Sequence, residues 1–293
     1  MNIILTVLEI VTPVFLLGLI GFVWVKAGFE FRIEFVTKLA MTLSVPCLVF
    51  TALMQSDVPP QALATISMAA VAAYAAVTIA AFILLRITGQ NMRTYLAPLI
   101  FGNTGNVGLP LALFAFGAEG LGYAVVVFAV MAIWSFTFGV WVVSGGGSLL
   151  KVLKEPLVVA TLLGALFLWQ GWETPAFLTN TLSLVGQIAI PIMLITMGVA
   201  VARLNSQNLG MAFWMSLLKA AVCIVIAWTV GLAFDLDRVA FAVLVIQVAT
   251  PVAVTSYLLA EKYGADSDAV AGLVVVSTLL SVLMLPLTLA LLL

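Results

Sequence analysis

Ten stretches of this chain each hold about 20 predominantly apolar residues, the length a helix needs to cross a bilayer. They fall at approximately 4–25, 37–54, 63–86, 95–116, 121–144, 156–172, 181–202, 210–234, 239–260 and 270–292. Short separators carry most of the charge, glycine and proline between them, from Lys26–Lys38 through Asp57–Pro60 to Glu261–Asp268. Composition excludes the soluble alternative. Hydrophobic residues make up 65% of the chain and charged residues 8%, with a mean hydropathy of +1.29. Soluble domains carry about 25% charged residues, so too few polar side chains exist here to cover a water-facing surface. The expectation is an all-α integral membrane fold with ten transmembrane helices, its exterior facing the lipid bilayer.

The basic residues sort by loop. Lys26, Arg32 and Lys38 follow the first span, Arg86 and Arg93 the third, Lys151 and Lys154 the fifth, Arg203 the seventh and Lys262 the ninth. Only Arg238 lies in a loop of the other side, and Lys219 lies within a span. Cytoplasmic loops are rich in Lys and Arg, so odd-numbered spans should exit into the cytoplasm. Both termini are then non-cytoplasmic, in a multi-pass protein of the cell's inner (plasma) membrane. At the N-terminus the apolar run precedes Lys26. A signal peptide has the reverse order, so an uncleaved first span is expected.

Landmarks recur along the chain with offsets of about 141 to 147 residues, the mark of an internal repeat. Pro13 and Gly21 correspond to Pro156 and Gly164. Pro46 and Thr51 correspond to Pro191 and Thr196, Pro110 and Ala112 to Pro251 and Ala253, and Gly117-Ala118-Glu119 to Gly264-Ala265-Asp266. The halves are 1–145 and 146–293, joined near Ser144–Ser148. Each holds five spans. An odd number forces the second half to enter from the opposite side, giving an inverted 5+5 repeat, an arrangement many secondary transporters share.

Polar residues concentrate at two places inside spans. Gly102-Asn103-Thr104-Gly105-Asn106-Val107-Gly108-Leu109-Pro110 puts three glycines, two asparagines and a proline into span four. Gln247-Val248-Ala249-Thr250-Pro251 does the same more briefly in span nine. Glycine and proline disfavour continuous helix. Freed backbone groups at membrane depth need partners in protein or a wet cavity. Kinked helices packed through small residues would explain the glycines and prolines alone. The amides of Asn103, Asn106 and Gln247 favour a binding site, with Thr104 and Thr250 beside them. Lys219 is the one charge in the middle of a span. It is read three ways: attracting a carboxylate, exchanging a coupling proton, or pairing with a backbone carbonyl. Glu9 is read as interfacial, and Trp24 and Trp141 as members of the interfacial aromatic belts.

Several classes fall away. The chain has no histidine, which the common intramembrane proteases need, and its aspartates all lie in separators. No phosphate-cradling loop is present, no enzyme motif survives, and no metal site or cofactor is expected. The net charge of −1 with no basic tail offers nothing to nucleic acid. Cys47 and Cys223 sit in apolar runs and are read as core packing.

The Gly102–Pro110 stretch with Phe116-Gly117 resembles the fourth-span signature of the auxin efflux carrier family. Ala249-Thr250-Pro251-Val252-Ala253 with Ala260-Glu261-Lys262-Tyr263-Gly264 is similar to its ninth span. Pro191-Ile192-Met193-Leu194 with Met197-Gly198 is similar to its seventh, and Val45-Pro46-Cys47-Leu48 to its second. The short Gly145–Glu155 separator matches the compact bacterial members. The resemblance implies a scaffold of spans 1, 2, 6 and 7 and a transport domain of spans 3–5 and 8–10. It also implies that helices four and nine cross at their breaks, bringing Pro110 and Pro251 together, and that substrates are small organic anions such as auxin or dicarboxylates. Plant carriers use a charged pair in span three, and this chain has no charge between Ala64 and Leu85.

The expected function is secondary active transport of a small organic (carboxylate) anion by alternating access. Asn103, Thr104, Asn106, Gln247, Thr250 and Lys219 would bind it, and Gly102, Gly105, Gly108, Pro110 and Pro251 would break the helices. A sodium-coupled symporter, a channel and a sensor on the same fold are the alternatives. The sequence leaves open whether H+ or Na+ is the coupling ion, and whether the protein forms a homodimer through the scaffold spans.

Overall fold

The computed structural model describes residues 3–56, 58–145, 156–203 and 209–293. Lys151, Lys154, Asp57 and most of the Ser144–Ser148 join lie outside them. Among the described residues every regular element is helical. We number them α1 (Ile3–Lys26), α2 (Ile33–Met54), α3 (Pro60–Thr88), α4 (Met92–Ile100), α5 (Thr104–Ser144), α6 (Pro156–Gln170), α7 (Ala176–Gln187), α8 (Ala189–Arg203), α9 (Leu209–Ala233), α10 (Arg238–Val248), α11 (Val254–Tyr263) and α12 (Ser267–Leu292).

Seven helical stretches among these residues are long and apolar enough to cross a membrane: α1, α2, α3, α5, α7 with α8, α9 and α12. The difference from the sequence expectation has local causes. The expected fourth span is divided between α4 and the start of α5, and α5 runs on into the expected fifth past a kink at Gly117, where φ is 63° and ψ is −148°. The expected sixth is α6, only 15 residues long. The expected ninth is divided between α10 and α11. Two further irregularities were not anticipated. Span two begins a turn earlier, at Ile33, and widens to a π-helical turn over Ala40–Ser44. Span seven is interrupted at Ile188, between α7 and α8.

Outward faces have no protein to cover them. On α3, Ile79, Ile83 and Ile87 form a stripe at helical spacing, and on α12 Leu279, Leu283, Leu287 and Leu291 form another; all are exposed. Such stripes are stable against acyl chains and not against water.

Inside, helices approach closely where glycine removes the Cβ. α1 packs along α8, where a Cβ on Gly21 would strike the Ile195 carbonyl oxygen and one on Gly198 the Gly18 carbonyl oxygen. α2 packs on α6 and α7, with Gly164 against Leu53, Gly186 against Leu48, and Phe50 edge-on to Phe167. A second set, α3, α5, α9, α10 and α12, packs together around buried Tyr74, Leu244 and Leu273.

Candidate functional site: the crossing of two broken helices

Two helices approach one another and stop short. α4 starts under the Asn91 side chain, whose oxygen accepts from the N–H groups of Arg93 and Thr94. α10 starts under Asp237, which accepts from Val239 and Ala240. Each cap satisfies donors that the first helical turn leaves free. α4 ends at Ile100 and α10 at Val248, and the chain runs extended through Phe101–Asn103 and irregularly through Ala249–Ala253.

The extended segments cross antiparallel, with Gly102 opposite Val252. The Asn103 N–H donates to the Pro251 carbonyl at 2.7 Å, and the Ala253 N–H to the Phe101 carbonyl at 3.2 Å. The breaks thus supply each other's backbone partners, as a low-dielectric interior requires. Gly102 permits the approach, since a Cβ there would overlap the Thr250 hydroxyl.

Side chains satisfy what remains. Ser277 Oγ accepts the Val252 N–H at 3.0 Å. Lys219 Nζ donates to the Thr250 carbonyl at 3.0 Å and lies 3.9 Å from Cys223 Sγ. Of the three readings of Lys219, this geometry is that of pairing with a carbonyl. The Thr250 hydroxyl donates back to the Gln247 carbonyl at 2.7 Å, and Gln247 Nε2 to the Ala124 carbonyl at 3.3 Å. Gln247 and Thr250 are 0% and 1% exposed.

The breaks sit differently from the sequence expectation. The residue that meets Pro251 is Asn103; Pro110 lies further along, two residues past the π-helical turn Thr104–Gly108 with which α5 opens. Gly105 and Gly108 are within helical backbone, in the π-helical turn Thr104–Gly108. Their smallness serves packing: a Cβ on Gly105 would come within 2.9 Å of Met193 Cε, and one on Gly108 would overlap the Gln247 amide.

The named polar residues therefore divide. Asn103, Gln247, Thr250 and Lys219 gather at the crossing. Asn103 Nδ2, Thr104 Oγ1 and Gln247 Oε1 are buried there with no hydrogen-bond partner among the described residues. Asn106 is half-buried and faces a cavity of about 210 Å³. The wall opposite is formed by Met193, Thr196 and Arg203 of α8 and by Val254 and Thr255 at the start of α11. Among the described residues no side chain caps that helix start. A second cavity of about 500 Å³ lies between Thr51, Gln55, Glu119 and Gln187. The two share no lining residue.

Sequence reasoning missed Ser277, Thr255 and the place of Arg203 in the cavity wall. Thr196 was visible as a repeat landmark and Arg203 as a loop cation; Ser277 gave no signal in the sequence.

Apolar helices with uncovered outer faces, around a crossing of broken helices, define a multi-pass membrane protein with a polar centre. The chain belongs to a family of membrane transport proteins, the auxin efflux carrier-like family its motifs resemble: the model of that family matches residues 6–148 and 140–289. An uncharacterized transporter of Methanocaldococcus jannaschii is 25% identical over 203 residues. That match covers 64% of this chain and 64% of the relative, a little under two thirds of the relative's own length.

Proposed function

We propose that the protein is a secondary active transporter that carries a small organic (carboxylate) anion across the cell's inner (plasma) membrane by alternating access. In this reading its spans number ten, as an inverted repeat of 1–145 and 146–293 with both termini non-cytoplasmic. Spans 1, 2, 6 and 7 form the scaffold, and spans 3–5 and 8–10 the moving domain.

The observation that carries the reading is the crossing itself, a polar knot of two broken helices, in a fold whose two larger cavities share no lining residue. A carrier needs a site reached from one side at a time, whereas a channel needs a continuous path. Corresponding anchors support the repeat. Asn91 and Asp237 cap α4 and α10 alike. Arg93 donates to the Val143 carbonyl after the first of these caps, and Arg238 to the Leu293 carbonyl after the second.

Asn106 and the uncapped start of α11 would hold the anion, since helix N-termini offer free N–H groups and a partial positive charge. Asn103, Thr104, Gln247, Thr250 and Lys219 would keep the crossing in register behind it. The cavity is smaller than the roughly 300 Å³ at which drug-sized pockets begin, which suits a substrate of few carbons.

The test is flux in liposomes holding the purified protein, with mono- and dicarboxylates offered under proton and sodium gradients. Saturable, gradient-driven uptake supports the reading, and the gradient that drives it names the coupling ion. No flux of any carboxylate under either gradient defeats it.

A further inference from the structure

We infer that Arg203 selects for the substrate's carboxylate at the mouth of the 210 Å³ cavity, a specificity-determining role resting on the transport reading above.

Among the described residues Arg203 is the only charged side chain lining that cavity, whose polar groups are otherwise hydroxyls and the Asn106 amide. It ends α8 with its side chain exposed. Its Nη2 donates to the Phe31 carbonyl at 2.6 Å, which fixes the guanidinium against the turn between α1 and α2. One of five N–H donors is used this way, and the rest of the planar fork is available for a carboxylate. No acid neutralises it: the one ion pair among the described residues joins Arg32 to Glu30.

The lining supports the same ligand. Met41, Met193 and Met197 make much of the wall apolar, so few groups there compete with the guanidinium for an anion. The amide of Asn106 and the uncapped N–H groups of α11 complete a set of donors. The 500 Å³ cavity has the other sign, with Glu119 as its one charged lining residue among the described residues. A carboxylate is therefore held at the Arg203 end and repelled at the Glu119 end.

The experiment measures labelled malonate uptake against concentration in proteoliposomes of wild type, Arg203→Gln and Arg203→Lys, with ionic strength varied. Removing the charge should raise the malonate KM about three- to tenfold, the range between exposed and partly desolvated charge pairs, with maximal rate changed less than twofold. Arg203→Lys, which keeps the charge and loses the planar fork, should recover part of the loss. The wild-type KM should rise with salt, and that dependence should flatten in Arg203→Gln. An unchanged KM in Arg203→Gln overturns the assignment, as does an Arg203→Lys protein as impaired as the Gln variant. If Arg203→Gln does not fold, a wild-type KM indifferent to salt overturns it. Wild-type protein that carries no malonate, malate or acetate instead defeats the transport reading itself.

Discussion

Asn103 and Pro251, from different halves of the sequence, are joined through their backbones: the Asn103 N–H donates to the Pro251 carbonyl across 2.7 Å. The Ala253 N–H returns the contact to Phe101. Neither broken helix can be held in place without the other, so perturbing one break should be felt at both.

Gly102→Ala tests that dependence. The new methyl would overlap the Thr250 hydroxyl, and overpacking of this kind costs about 1–3 kcal/mol. Thermal unfolding in detergent should show a clear loss of stability. Adding Thr250→Ala should recover part of it, a non-additivity expected only of residues in contact. Simple addition of the two losses would mean that the segments do not touch.

Lys219→Met separates two roles. The substitution leaves the Thr250 carbonyl without its donor at a site 4% exposed, and an orphaned buried acceptor costs about 1–3 kcal/mol. Stability and transport should fall together. Full stability with a raised substrate KM would make Lys219 a direct ligand.

The seam of α1 and α8 should tolerate different glycines unequally. A methyl on Gly198 meets the Gly18 carbonyl, which is backbone and cannot move aside; one on Gly18 meets Met197 Cε at 3.2 Å, the end of a flexible side chain. Gly198→Ala should reduce folded yield and thermal stability, by about 1–3 kcal/mol, while Gly18→Ala stays near wild type. Equal effects would contradict the packing described.

Arg93 ties three elements at one face. From the first turn of α4 it donates to the Val143 carbonyl near the end of α5 and, at 3.0 Å, to the Tyr263 carbonyl at the end of α11. Arg93→Met should cost about 1 kcal/mol, since the group is partly solvated. Hydrogen exchange should quicken at the ends of α5 and α11 and not at α1. Uniform change would argue against a local tie.

The sequence carried the general plan because lipid imposes it: long apolar runs, charged separators, and interruptions permitted only where polar groups gather. Both breaks were legible from glycine, amide and proline together. Their positions were less so. Pro110 reads as a breaker by residue type, yet α5 runs on through it, and the chain leaves helical backbone at Phe101–Asn103. Gly105 and Gly108 read as weak points of span four but are sites of close approach to Met193 and Gln247. Such contacts depend on partners far along the chain, as do Ser277 beneath Val252 and Arg203 at the cavity mouth. Pattern along one segment contains no record of them.

The most direct test of the account is carboxylate flux through Asn106→Ala in proteoliposomes, beside wild type and with thermal stability measured on both. Asn106 is half-buried, lines the cavity and lies outside the network that braces the crossing, so its loss should spare the fold. Wild type should show saturable, gradient-driven flux, reduced about tenfold or more in Asn106→Ala with little change in unfolding temperature. Equal flux in the two proteins would contradict it.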